Sequence, residues 1–416
     1  MVSTRVCGTL SSGSNPDRDP RMKNLSNRVA YLDFLRGIAI LSVLVVHTNI
    51  FILNKGGVIF NLITSEGARG VQLFYILSAM TLFMSLSQGS YVGNKNQIFK
   101  YFLRRFFRIA PLFYFIIIFC VLLSFLNIYF PYLARYTEFL NLDFKSVLLS
   151  MTFLNNFSPK YINSIVPGQW SIAIEVAFYL LVPLFFNRIK TRAEAKKYSI
   201  IFIALSSFLI LLTSFIINFI APGQSPSDWY LNLFFSLPIQ LPHFILGFFL
   251  FFLIFKDDKA LDKESGAAYK EIKDIFLWTV LIEVIFIGIS YLLFGRIDVS
   301  IISPRVYIQS ILLSFFILFV SKNYLYFSKI KIFSKVVEYI GKVSYSLYLT
   351  HWFVLIFITH NIYYLRFFGS SSPYLEFFGL FGLTAILGVV VSSVTYLLIE
   401  GPGQRLGILI KDLYKK

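Results

Sequence analysis

Charge is scarce in this chain of 416 residues: only 14% of them are Asp, Glu, Lys or Arg, where soluble domains carry about a quarter. With 57% hydrophobic residues, that scarcity excludes one large water-soluble core and points to a polytopic membrane protein. Cysteine is nearly missing, Cys7 and Cys120 being the two present, so no disulfide framework is expected. No metal-ligand spacing of His, Cys, Asp or Glu occurs, and no metal is expected. Acidic residues are the rarer sign, 21 against 38 Lys and Arg, giving a net charge of +17. Residues 1–30 have no apolar run of the kind a signal peptide needs and read as a disordered cytoplasmic tail. No internal repeat and no soluble second domain is visible.

What is abundant is apolar sequence in long runs, rich in Phe (48) and Tyr (25), as suits lipid-facing helices and interfacial belts. Crossing a bilayer takes about 20 such residues. Ten runs qualify: 34–53, 70–87, 109–130, 169–187, 199–220, 233–255, 275–294, 302–320, 337–359 and 375–399. The expected fold class is therefore all-α, a helix bundle of about ten transmembrane helices with cytoplasmic N- and C-termini. On that topology 28 of the 38 Lys and Arg fall in inner segments, Arg36 and Lys342 just within their helices, and eight outside. This is the asymmetry of the positive-inside rule. It explains the basic balance and excludes nucleic acid as the partner. The longest outer connection, 131–168, reads as an extracytoplasmic loop or a partly re-entrant lid; Asn156-Phe157-Ser158 within it matches a glycosylation sequon.

The first run, LDFLRGIAILSVLVVHTNIF, carries Arg36 near its start and His47 in its far half. On an α-helix the two lie ~16 Å apart along the axis. Ionisable residues inside a span are costly and mark functional sites. A neutral imidazole can take a proton from a hydroxyl; the plainer role for His47 is an interhelical hydrogen bond. At the inner edge of the third span, FLRRFFRIAP sets Arg104, Arg105 and Arg108 on one face at i, i+3 and i+4 spacing. Guanidinium forks there suit phosphates, or form an ordinary basic flank touching lipid headgroups. With Arg36 near the same boundary they are a candidate anion site.

The fourth span opens GQWSIAIEVAFYLLVP. Trp170 suits the outer interface, and Glu175, five residues deeper, needs a partner or a proton; a functional carboxylate and a structural hydrogen bond both fit. His351, in YSLYLTHWF, reads as structural or as lining an acceptor. His243 and His360 read as packing or interface residues, and Glu400, at a helix stop, as a structural partner of Arg405 or Arg36.

Six blocks, LDFLRGIAILSVLVVHTNIF, GVQLFYILSAMTLF, FLRRFFRIAP, QWSIAIEVAFYLLVPLF, YIGKVSYSLYLTHW and LIEGPGQRL, occur together in order from the first span to the last. In this they resemble acyltransferase family 3, the integral-membrane O-acyltransferases that modify bacterial surface glycans. The resemblance implies a transmembrane acyltransferase domain over 31–405, followed by a cytoplasmic tail over 406–416. It maps the family's Arg and His onto Arg36 and His47, the latter essential for transfer. Its Arg-x-x-Arg element, which handles acyl-coenzyme A, falls on Arg105 and Arg108, and its Trp-Ser-x-x-x-Glu block on Trp170, Ser171 and Glu175. Departures are Gln72 where an acid is common, Ala79 where Gly is common, Val176-Ala177 for a frequent Glu-Gln, and Gln240 and His243 where many members have Arg and Glu.

The implied activity is an O-acetyltransferase of the bacterial inner membrane, with acetyl-CoA as donor and a cell-surface or lipid-linked glycan as acceptor. Arg36, Arg105 and Arg108 would hold the donor's phosphates; His47 would act as general base, with Glu175 as its helper or an acyl-histidine as intermediate. Trp170, Ser171 and His351 would line the acceptor. Two rivals share the same buried charges: a transporter or flippase of a lipid-linked sugar, and a subunit that passes acyl groups to a separate enzyme.

Overall fold

The computed structural model describes residues 20–53, 55–87, 95–138, 140–220, 233–256, 265–294, 302–361 and 372–413. Among these every regular element is helical, as hydrocarbon demands of a chain that must satisfy its own backbone polar groups. In order the α-helices are α1 Pro20–Phe51, α2 Val58–Ser65, α3 Gly70–Ser87, α4 Lys95–Leu126, α5 Phe144–Met151, α6 Gln169–Arg188 and α7 Arg192–Ile220. There follow α8 Leu237–Phe251, α9 Ser265–Phe294, α10 Ile302–Phe327, α11 Lys331–Lys342, α12 Ser344–Asn361, α13 Pro373–Thr395 and α14 Gly401–Leu413. π-helical turns extend α8 over Phe252–Lys256 and join α13 to α14 over Tyr396–Glu400.

Nine stretches among the described residues are long and apolar enough to cross a membrane, and nine of the ten expected runs coincide with them. The tenth, 337–359, breaks at Val343 into α11 and α12. Its two halves have different jobs. α11 turns Ser334, Val337, Ile340 and Gly341 inward while Ile332 and Phe333 stay exposed. α12 is apolar by neighbourhood but buries Ser344, Ser346, Thr350 and His351. Residues 20–30, expected in a disordered tail, form the first turns of α1, and α14 continues helically past 405 to Leu413. Residues 1–19 lie outside the described part.

Where α1 sits is decided by glycines. A Cβ on Gly341 would lie 1.7 Å from the Asp33 carbonyl oxygen, and one on Gly37 2.1 Å from that of Val337. α1 and α11 therefore touch backbone to backbone, the close approach that small residues permit between membrane helices. On another side a Cβ on Gly70 would meet the Ala39 carbonyl oxygen at 2.3 Å, so α3 begins against the middle of α1. α8 forms the centre of the bundle, with 89% of its apolar window buried, against 22% for the lipid-facing α9.

The 131–168 connection is ordered against the bundle rather than free. Asp143 caps α5 by accepting from the Ser146 backbone N–H at 2.6 Å, and Ser146 Oγ in turn accepts from the Asp143 backbone N–H, a capping box. Asn156 Nδ2 donates to the carbonyls of Trp170 (2.8 Å) and Phe235 (2.9 Å), tying the sequon segment to the start of α6. Gln169, fully buried, holds Ser150, Tyr161, Ser164 and Val166 by side-chain hydrogen bonds.

Candidate active site

Two polar clusters share the interior, one at each end of the Arg36–His47 stretch of α1. At the arginine end, α1 supplies Arg36, α4 supplies Arg105 and Arg108, and α6 supplies Glu175 and Tyr179. Arg36 Nη1 donates to Asp33 Oδ1 at 2.7 Å, one turn back. Arg36 and Arg108 are near enough for their charges to interact, and both feel Glu175. The guanidinium carbon of Arg105 sits 5.8 Å from the ring centre of Tyr101 and 5.7 Å from that of Tyr179, within cation–π range. Arg36, Arg105, Arg108 and Glu175 keep partial exposure, although Leu35, Ile109 and Ile174 beside them are sealed.

Glu175 does not meet His47. Its Oε1 accepts from Ser78 Oγ of α3 at 2.6 Å and from Tyr179 Oη, one turn along α6, at 2.5 Å. Arg108 lies in the field of a second carboxylate, Glu400. The π-turn Tyr396–Glu400 brings that side chain inward, where it accepts from Ser346 Oγ (2.6 Å) and Gln404 Nε2 (3.0 Å). Neither Arg405 nor Arg36 is its hydrogen-bond partner. Among the described residues neither Arg105 nor Arg108 has a carboxylate within 4.0 Å or a hydrogen bond to protein. Two half-buried guanidinium groups with their forks unoccupied are what an incoming anion requires.

At the other end, His47 Nδ1 stands 2.7 Å from His351 Nε2, the two rings nearly coplanar at 6°. The edge of His47 also meets Trp352, ring centres 5.0 Å apart. His351 is buried, and its Nδ1 lies 2.7 Å from the Tyr348 carbonyl oxygen; both of its nitrogens are thus taken by protein partners. His47 is half-buried, and its Nε2 has no partner among the described residues. Ser171 Oγ and Tyr348 Oη are 2.7 Å apart beside the Gly168 carbonyl oxygen. Gly168 has φ +81°, and a Cβ there would meet Tyr348 Oη at 2.6 Å; only glycine suits that place. Tyr75 connects the ends: its hydroxyl donates to the Ser171 carbonyl at 3.3 Å, and it feels both Tyr348 and Glu175. Trp170 packs on Phe235, ring centres 4.4 Å apart.

Of the residues singled out in the sequence, Arg36, Arg105, Arg108 and Glu175 come together, as do His47, His351 and, through Tyr348, Ser171. His243 stays apart, its Nδ1 against Ser310 Oγ at 2.6 Å. Ser78, Tyr179, Ser346 and Tyr348 escaped notice, though helical spacing carried a signal for two of them: Tyr179 follows Glu175 by four residues and Tyr348 precedes His351 by three. No group of three or more His, Cys, Asp or Glu able to hold a metal exists among the described residues.

Curated relatives are similar to the chain over most of its length. O-acetyltransferase OatA of Staphylococcus aureus strains NCTC 8325, COL and MRSA252 is in each case 26% identical over 389 residues, 90% of this chain and 57% of the relative. The chain thus spans a little over half the length of those relatives. No solved structure matches it. The profile of the acyltransferase domain family matches residues 29–396, a range containing both clusters apart from Glu400 and Gln404, and the chain belongs to that family.

Proposed function

We propose that this protein is an O-acetyltransferase that takes an acetyl group from acetyl-CoA and gives it to a hydroxyl of a cell-surface or lipid-linked glycan. The observation that carries the reading is that Arg36, which shares its surroundings with the unpaired Arg108 of α4, stands ~16 Å along α1 from an imidazole with a free nitrogen. That interval is of the order of a pantetheine arm. The relatives' name, O-acetyltransferase, supports the reaction class, and the Lys and Arg asymmetry supports an inner, cytoplasmic position for the arginine end in a bacterial inner membrane.

In this reading Arg36, Arg105 and Arg108 hold the donor phosphates, and Glu175 with Glu400 limits the excess positive charge around them. The thioester reaches the imidazole between the helices. The acceptor hydroxyl arrives from the side of Trp170, Ser171 and the 131–168 loop. His47 Nε2 takes the hydroxyl proton as the oxygen bonds to the thioester carbonyl carbon. The C–S bond then breaks, and the coenzyme thiolate recovers the proton from Nε2. General-base help of this kind is worth ~10²–10⁴-fold.

The test is turnover by the full chain in proteoliposomes given acetyl-CoA and a soluble glycan acceptor. Free thiol and O-acetylated glycan should appear in equal amounts. Movement of glycan across the membrane with no thiol released would support the transporter reading instead. Thiol release that needs a second protein would make the chain an acyl-passing subunit.

A further inference from the structure

The pairing of two imidazoles from opposite ends of the sequence determines which nitrogen of His47 can work as a base. We propose that His351 is the positioning residue that fixes His47 with its proton on Nδ1 and its lone pair on Nε2. His351 Nδ1 lies 2.7 Å from the carbonyl oxygen of Tyr348 and 3.1 Å from that of Leu347. A carbonyl only accepts, so Nδ1 carries a hydrogen and donates it. In a neutral imidazole the other nitrogen is then an acceptor. His351 is 1% exposed, and its hydrogen-bond partners are those two carbonyls and His47. A cationic His351 would thus be a buried charge with no carboxylate to meet it, a costly state. With Nε2 of His351 accepting, His47 Nδ1 at 2.7 Å must donate. The lone pair of His47 is left on Nε2, the atom free of protein partners.

Two consequences follow. His351 cannot itself be the base, because neither of its nitrogens is open to a substrate. Its effect passes through His47, as the outer partner of a metal-bound or catalytic histidine commonly acts. When Nε2 of His47 takes the acceptor's proton, the Nδ1–H bond to His351 persists. The ring therefore keeps its orientation through the transfer.

This rests on the reading of His47 as the base, and the variants separate the two. In proteoliposomes, His351→Ala should lower kcat about 10–100-fold and leave KM for acetyl-CoA unchanged. His351→Gln should restore most of the rate, since its side-chain amide oxygen can accept from His47 Nδ1–H where the ring Nε2 did. In a His47→Ala background, His351→Ala should cost nothing further, the two residues acting as one unit. A His351→Ala enzyme within twofold of wild type overturns the proposal. So does His351→Gln as slow as His351→Ala, or a variant that has lost acetyl-CoA binding, which would report a structural role. If His47→Ala itself turns over at the wild-type rate, the base assignment fails. If His47→Ala is inert while His351→Ala is fully active, the present inference alone fails.

Discussion

Removing the Arg108 guanidinium should weaken binding of the donor. The group lies in the fields of Tyr179, Glu175, Glu400 and Tyr345 and forms no salt bridge within 4.0 Å among the described residues. Its fork is available to a phosphate. A hydrogen bond to a charged group contributes ~1.5–3 kcal/mol, and about 1.4 kcal/mol is a factor of ten in affinity. Arg108→Ala should therefore raise KM for acetyl-CoA ten- to hundredfold, and Arg108→Lys, which keeps the charge and loses the fork, by less. Removing a cation that two carboxylates feel also disturbs the fold locally, so the assay needs an internal control. Initial rates of thiol release are compared for acetyl-CoA and for S-acetyl-N-acetylcysteamine, a thioester with no phosphates. The KM for the small thioester should be the same in wild type and variant. Equal increases for both thioesters, or none for acetyl-CoA, would refute the phosphate assignment.

Other expectations follow from the same geometry. Gly341→Ala drives a methyl group to 1.7 Å from the Asp33 carbonyl oxygen; overpacking of this kind costs ~1–3 kcal/mol, so thermal unfolding should move down, and donor KM up, because Asp33 orients Arg36. Gly382→Ala, whose Cβ meets nothing within 4 Å, should leave both unchanged. The Asp143 carboxylate is held below its usual range by the Ser146 backbone N–H, with Tyr161 and Lys160 assisting. Its capping contribution is therefore complete above about pH 4 and is lost as the pH falls through the lowered folded-state value. Melting curves of wild type against Asp143→Asn should differ at neutral pH and converge in acid.

Which parts of this site could be read from the chain depended on whether covalent spacing fixed them. Arg36 and His47 share one helix, and Arg105 and Arg108 one face of another, so their relations were set by helical geometry alone. His47 and His351 are 304 positions apart, and nothing local in either segment names the other. Glu175 was expected to help His47; it belongs instead with Ser78, Tyr179 and the arginines, because the packing of α3 and α4 against α6 decides its neighbours. The expected span 337–359 failed because hydropathy averages across a break. Val336, Val337 and Ile340 belong to an amphipathic helix seated on α1 through Gly37, and a separate helix begins at Ser344. Glu400 looked like a helix-end residue since Gly401 and Pro402 follow it, yet a π-turn carries it into the bundle.

The rate of His47→Ala in the reconstituted assay, read beside its acetyl-CoA dissociation constant, tests the chemistry most directly. The variant should bind donor as the wild type does and transfer acetyl groups slower by ~10²-fold or more. Transfer at the wild-type rate with donor binding intact would show that the proton leaves by another route.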